Sequence, residues 1–430
     1  MNGQGDSHIS EGTKASGNHM GELLDMLDRE SGKCISCGFC DSVCPTYEAS
    51  GHDPAITARG RAQLGKRLYS DLSSSGTTDL PVMDSFYSCL DCHACLQVCP
   101  TGVDAGKVSQ LGRRATVTIR DGIRERERPE ARMMVAATMK YNNPLGVREE
   151  CSQWADGVNF DTGSDTYLYT GNMYQLMAFS QSMKGKREKL GSVLTGVASR
   201  ISSHVPSLIR AGSKSYDESV MGIMAGNLRN IVSILEKSGV SFNYMGPEEP
   251  YPGTFLHDLG YEREFTEYAR RVASMLHSRG CRRIITVDPH THELLRDVYP
   301  TYVPGFDFEV VYYLDLVDRS LVRHTGEEVV FHEPCHFILS GNSYEVPRKL
   351  LSEISDVRMP ERSGKRTFCC GGPAELLFAD LSEKISNERF RQLKEAGGEK
   401  IVTACPICLV NLSKDSSVHD ISEMVMQAMP

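Results

Sequence analysis

Between Glu333 and Cys408 the chain reads HEPCHF, FCCGGP and TACPIC. This sets five thiols in three segments: Cys335, the adjacent Cys369 and Cys370, and the pair Cys405 and Cys408. Adjacent residues of a regular helix or strand rarely point at one centre. Gly371 and Gly372 let the backbone turn tightly after Cys370 and bring both sulfurs inward. Pro406 sets a turn that aims Cys405 and Cys408 the same way. Soft thiolates converging from separate segments suit an iron–sulfur centre or zinc. Zinc takes four ligands and leaves the fifth thiol without a use. A disulfide framework is not expected in a long chain without a secretory signal.

A second set lies near the start. Cys34, Cys37, Cys40 and Cys44 precede Pro45, and the same spacing returns at Cys89, Cys92, Cys95 and Cys99 before Pro100. This duplicated run is the bacterial ferredoxin pattern, in which the fourth Cys of each run serves the other cluster. One [4Fe-4S] cubane is then expected on Cys34, Cys37, Cys40 and Cys99, the other on Cys89, Cys92, Cys95 and Cys44. Gly38 is expected to admit a close approach of backbone to cluster. Zinc is the alternative here too. Of the 15 cysteines, Cys151 and Cys281 stand outside the motifs and read as structural thiols.

The C-terminal arrangement, a lone Cys, then Cys-Cys-Gly, then Cys-x-x-Cys, resembles the CCG domain. That domain occurs in heterodisulfide reductases and in the iron–sulfur subunits of glycolate, D-lactate and anaerobic glycerol-3-phosphate dehydrogenases. The resemblance implies a non-cubane [4Fe-4S] cluster on Cys335, Cys369, Cys370, Cys405 and Cys408. The segment CPTYEASGHDPAITARGRAQ between the two N-terminal runs resembles the α-helical ferredoxin unit of the same subunits. Its PAITARGRAQLGKRLYS portion reads as a helix with Pro54 near its start. Arg59, Arg61, Lys66 and Arg67 make that helix basic. A solvated face is the plain reading, and a docking face or a positive field near anionic clusters is the other. The basic stretch 106–132 admits the same pair of readings.

The elements that must position these residues follow from composition and pattern. The length of 430 residues supports two or three domains, and a net charge of -9 argues against general nucleic-acid affinity. No apolar run reaches membrane-spanning length. Residues 1–20 read as a disordered tail, rich in Gly, Ser, His and Asn. Residues 21–145 are expected to form an α-helical ferredoxin domain, with NNPLG at 142–146 marking its end. Trp154 follows in a linker and is expected to pack the domains together. From there apolar runs such as RIITV and KIVTA alternate with amphipathic helices, which indicates βαβ units and a mainly parallel sheet. The thiols then lie at the carboxyl ends of strands, where such sheets bind ligands.

Residues 165–325 read as a worn copy of 326–430. TYLYTGNMYQL mirrors EEVVFHEPCHF, and CRRIITVDPHTHELL mirrors EKIVTACPICLVNL. EEPYPGTF stands in the place of TFCCGGPA, and the last two pairs keep offsets of 117 and 118 residues. The positions matching the thiols are Asn172, Tyr251, Pro252, Asp288 and Thr291, so no second CCG cluster is expected. The first copy is expected to be a wall over the intact site. His290 and His292 could bind a metal with Asp288, although polar residues after a strand more often cap a helix. His332 and His336 bracket Cys335, either packed structurally or bonded to a cluster. The expected fold is thus α plus α/β: a helical two-cluster ferredoxin domain followed by two βαβ-type CCG domains.

No Gly-x-Gly-x-x-Gly run follows a strand, so no flavin or nicotinamide site is evident. The expected function is an iron–sulfur electron-transfer subunit, similar to the D subunit of heterodisulfide reductase, that carries single electrons to a cluster able to reduce a disulfide. The alternative is the iron–sulfur subunit of a flavin-linked 2-hydroxy acid or glycerol-3-phosphate dehydrogenase passing electrons to quinone. Expected partners are a flavoprotein or a b-type cytochrome or membrane subunit in a hetero-oligomer. The expected location is cytoplasmic, with attachment to the inner membrane face through a partner.

Overall fold

The computed structural model describes residues 10–78, 85–120, 129–190, 216–339, 344–397 and 399–430. The chain forms two compact units, Met1–Glu127 and Arg128–Pro430. In the first, helices α1 (Ser10–Ser31), α2 (Ala58–Ser75) and α3 (Ala105–Arg120) pack together. Leu23, Leu27, Leu68, Leu72, Val108, Leu111 and Ala115 recur at helical spacing and meet around Phe86. The first cysteine run lies between α1 and α2, the second before α3. Helix α1 starts at Ser10, earlier than the tail reading of 1–20 expects; residues 1–9 lie outside the described residues, as do 121–128 of the basic stretch.

The second unit begins with α4 (Pro129–Tyr141). Met133, Met134 and Ala137 of this helix share a core with Phe179 and Tyr251, so the boundary falls before α4 and not at NNPLG. Asn143 holds that turn instead, its Oδ1 accepting from the amides of Leu145 and Val147. Trp154 is buried inside this unit against Phe160 and Tyr244, which corrects its expected role between domains.

Two four-stranded parallel sheets follow. The first has β1 (Thr166–Tyr169), β2 (Asn243–Tyr244), β3 (Arg283–Thr286) and β4 (Glu309–Tyr312) in the order β2-β1-β3-β4. The second has β5 (Glu328–His332), β6 (Asp356–Arg358), β7 (Ile401–Thr403) and β8 (Val418–Asp420) in the order β6-β5-β7-β8. Tyr169 pairs with Thr286 in one and His332 with Thr403 in the other. Helices clothe the sheets, so β3, β5 and β7 read as near-continuous apolar runs. Those used below are α5 (Met173–Leu190), α6 (Glu218–Lys237), α7 (Glu262–Ser278), α8 (Pro289–Glu293), α9 (Cys335–Ile338), α10 (Val346–Ile354), α11 (Ala379–Glu395), α12 (Pro406–Leu412) and α13 (Ile421–Ala428). The two halves lock together through α5 against α12 and α6 against α13, and Tyr174 Oη donates to Asp420 Oδ2 at 2.9 Å. Among the described residues, no helix is long and apolar enough to cross a membrane.

Candidate metal centre

In the first unit two cavities are lined by thiols. One takes Cys34, Cys37 and Cys40 with Cys95 and Cys99; the other takes Cys89, Cys92 and Cys95 with Cys44. The fold thus brings Cys99 to the first three thiols and Cys44 to the second three. The backbone repeats as well: Ser36 and Gly38 flank Cys37 with positive φ (60° and 85°), and Asp91 and His93 flank Cys92 likewise (52° and 56°). Gly38 takes that conformation without the strain that a β-carbon brings there. His93 holds the same conformation with its Nδ1 3.0 Å from Asp104 Oδ2.

The basic helix is not a solvated face. Arg61 is buried, and its guanidinium donates to Ser85 O (3.0 Å), Thr46 Oγ1 (3.1 Å) and Ser88 Oγ (2.8 Å), joining the two cysteine runs. Arg59 pairs with Asp41 at 2.8 Å, and Lys66 Nζ donates to Cys34 O at 2.7 Å. Arg67 is the solvated member. On α3, Arg113 is buried and donates to Phe86 O (3.0 Å) and Cys89 O (2.6 Å). Gln63 Nε2 donates to Cys34 Sγ (3.3 Å) and the Val103 amide to Cys99 Sγ (3.2 Å), the N–H···S bonds that suit an anionic sulfur.

In the second unit Cys335, Cys369, Cys370, Cys405 and Cys408 are all buried, and none forms a disulfide. Cys335 follows β5 and Cys405 follows β7, at the point where the strand order reverses, which is where open parallel sheets bind ligands. Cys335 Sγ lies 3.8 Å from Cys369 Sγ and Cys408 Sγ 3.3 Å from Cys370 Sγ. Contact with Cys370 and Cys405, together with burial, pushes the Cys408 thiol up, and contact with Cys335 and Cys370 does the same for Cys369. Cys370, which accepts from Cys369 and Cys408, is pushed down. Such a crowd cannot ionise together unless a multivalent cation joins it, so the donor set fits a metal cluster. Cys151 and Cys281 are buried away from these sets; burial pushes Cys281 up to about 12, consistent with inert structural thiols.

The glycines explain how adjacent thiols face one centre. Gly371 turns with φ 86°, and its amide lies 3.4 Å from Cys369 Sγ. Asn411 Nδ2 donates to Cys370 O at 2.5 Å, fixing the turn to α12. Glu333 is buried, accepting from Arg348 Nε (2.6 Å) and from the Gly364 amide (2.5 Å).

The first half of the unit packs against the helix that begins at Cys335. Helix α8 packs on α9, with the His290 and His336 rings 3.8 Å apart, and His336 pairs with Glu293. Burial, then His336, push His290 down to about 3, so it is neutral. His292 has both ring nitrogens engaged, with Thr286 Oγ1 (2.8 Å) and Arg296 Nη1 (3.0 Å), and Asp288 Oδ1 caps α8 through the Thr291 amide. Among the described residues Asp288, His290 and His292 do not gather as a metal site, and the helix-capping alternative is the one seen at Asp288. Asn172 is held by Glu249, whose carboxylate also accepts from Thr170.

The inward-facing roles of three arginines were missed in the sequence: Arg61, Arg113 and Arg389. Each occupies the buried stripe of an otherwise amphipathic helix, as Arg389 does among Ser382, Ile385, Ser386 and Leu393. A charge at a core position was the available signal.

Residues 30–103 match the family described as 4Fe-4S dicluster domain, and residues 329–413 the family described as Cysteine-rich domain. The chain is 22% identical to the D subunit of the dihydromethanophenazine:CoB--CoM heterodisulfide reductase of Methanosarcina barkeri, over 92% of this chain and 93% of that protein. It is 24% identical to the "Probable glycolate oxidase iron-sulfur subunit" of Bacillus subtilis, over 91% and 88%. It is 23% identical to the EtfAB:quinone oxidoreductase of Syntrophomonas wolfei over 94% of its own length. It spans 58–59% of the length of that protein and of two further relatives.

Proposed function

We propose that this chain, a member of the CCG-domain iron–sulfur oxidoreductases, is an electron-transfer subunit that moves single electrons between two [4Fe-4S] cubanes and a third, non-cubane [4Fe-4S] centre. The cubanes are assigned to Cys34, Cys37, Cys40 and Cys99 and to Cys89, Cys92, Cys95 and Cys44. The third centre is assigned to Cys335, Cys369, Cys370, Cys405 and Cys408. The observation that carries this reading is the gathering of five buried thiols at one strand switch point. When bound, such clusters supply one-electron storage at potentials set by burial and by hydrogen bonds to sulfur. The protein's part is to hold the thiols, exclude water and aim N–H groups at them. Arg61 and Arg113 tie down the two N-terminal runs, and the Gly371 amide serves the third site.

We read 165–325 and 326–430 as copies of one domain, a reading supported by equal strand orders and strand pairings. On this reading Asn172, Asp288 and Thr291 stand at the places of Cys335, Cys405 and Cys408, in keeping with the strand pairings. The first copy therefore carries no cluster and serves as the wall over the third centre.

For the terminal reaction the first reading follows a relative matched over nearly its whole length, the heterodisulfide reductase D subunit: reduction of a disulfide. A second reading, electron delivery from a flavoprotein to quinone, is favoured by the lack of thiols at the matching positions of the first copy and by the quinone oxidoreductase relative. In both, the chain works within a hetero-oligomer, and a membrane or flavin partner brings it to the inner membrane face. Anaerobic, chemically reduced protein tests the choice. Reoxidation by a disulfide, with a thiol-dependent change in the third centre's paramagnetic signal, supports the first reading. Reoxidation by a quinone, together with reduction by a flavoprotein, supports the second. Inertness to all of these overturns the proposal.

A further inference from the structure

Behind the third site lies a polar pair with no counterpart in the first copy. His332 ends β5 and Arg389 lies in the middle of α11; both are essentially without exposure. Arg389 Nε donates to His332 Nδ1 at 3.0 Å, and its Nη1 donates to Arg362 O (2.9 Å) and to Gln392 Oε1 (3.1 Å). A guanidinium only donates, so Nδ1 must be the accepting nitrogen. The ring is then neutral and carries its proton on Nε2. A ring nitrogen of His332 and the sulfurs of Cys370 and Cys408 lie within 4.8 Å of one another. With Nδ1 engaged, the nitrogen left to face them is Nε2, a buried atom with no hydrogen bond among the described residues.

These three groups resemble a His-Cys-Cys metal site, but the proton argues otherwise. A nitrogen that carries hydrogen has no lone pair for a metal. We propose that His332 is a hydrogen-bond donor to the sulfurs of the third centre, held in its Nε2–H form by Arg389, and that the pair sets that centre's reduction potential. The inference rests on the cluster assignment made above. The copy comparison supports it independently. Tyr169 stands at the register position of His332 and sends its hydroxyl to Pro250 O at 2.6 Å. Helices α7 and α11 have 17 residues each, and by position Val272 stands where Arg389 does. The half that gathers five thiols has the His–Arg pair; the half with no thiol at the matching positions has a tyrosine and a valine.

A donor aimed at a cluster sulfur favours the reduced, more negative state, so its removal lowers the midpoint potential. The test is a redox titration of anaerobic protein followed by electron paramagnetic resonance, with iron analysis alongside. In His332→Leu the third centre should keep its iron and shift to a more negative potential while both cubanes stay fixed. His332→Gln, which can still donate, should recover part of the shift, and Arg389→Met should move it the same way as His332→Leu. Wild-type protein with nitrogen-15 histidine should show a weak histidine coupling to the third centre and an exchangeable proton that deuterium oxide removes. No such coupling, or an unmoved potential in His332→Leu, overturns the inference. So does loss of the third centre's iron in His332→Leu paired with a strong, directly bonded nitrogen coupling, which would make His332 a ligand. A wild-type protein lacking the third signal altogether refutes the cluster assignment instead.

Discussion

Replacing Gly371 with alanine isolates the geometry that lets Cys369 and Cys370 share a centre. Gly371 sits at φ 86°, where a β-carbon costs about 1–2 kcal/mol. That carbon would lie 2.8 Å from Ser382 O and 3.1 Å from Ile385 Cβ, both fixed parts of α11. Overpacking against atoms that cannot rotate away adds about 1–3 kcal/mol. The whole effect is then about 2–5 kcal/mol. Gly280→Ala is the control, because Gly280 has φ 71° with nothing within 4 Å and carries only the backbone cost. Calorimetric melts of the two variants should separate by about 2–12 °C, taking about 2–4 °C per kcal/mol for a domain of this size. Iron analysis should find the third centre depleted in Gly371→Ala alone. Two variants that melt within a degree of each other and hold equal iron would refute the close-packing argument.

Cys370→Ser should remove the third centre's paramagnetic signal and leave both cubane signals, since the cysteine runs of the first unit hold themselves; loss of all three signals together would contradict this. Arg61→Met strands buried oxygens of both N-terminal runs, and should cost about 2–4 kcal/mol and deplete the cubanes. The solvated Arg67→Met should stay within about 0.5 kcal/mol, and equal melting of the two would count against the anchoring role. Burial pushes Glu249 up to about 7, with the Thr170 hydroxyl and nearby amides holding it back. A carboxyl raised above its ordinary 4.5 binds more protons folded than unfolded. Stability is therefore greatest below about pH 4.5 and falls as pH rises through about 7, by about 3 kcal/mol from this group. Asp288 and Asp420, raised by burial to about 6, act in the same direction. Melts between pH 5 and 8 should show the decline, flattened in Glu249→Gln; an unchanged slope would contradict the assignment.

Much of the site could be read from the chain because thiol spacing is a local property. The repeated run ending in Cys-Pro and the Cys-Cys-Gly turn state which residues must meet, and apolar strands such as RIIT and IVT state where. The strand order and the stacking of α8 on α9 depend on contacts far apart in sequence, so only the three-dimensional arrangement displays them. The arginines show the limit most clearly. Composition makes α2 a basic surface helix, yet Arg61 faces inward because buried carbonyl and hydroxyl oxygens between two loops need a donor that stays charged. NNPLG misled for a related reason: its turn chemistry is real, but Asn143 uses it inside the second unit.

The central claim is that three separate groups of thiols each hold a four-iron cluster. Iron, sulfide and zinc analysis of anaerobically purified protein tests it most directly. Three such clusters give about twelve irons per chain, with matching sulfide and negligible zinc. About eight irons would mean that the five-thiol site holds no cluster, and zinc in place of iron would contradict the account as a whole.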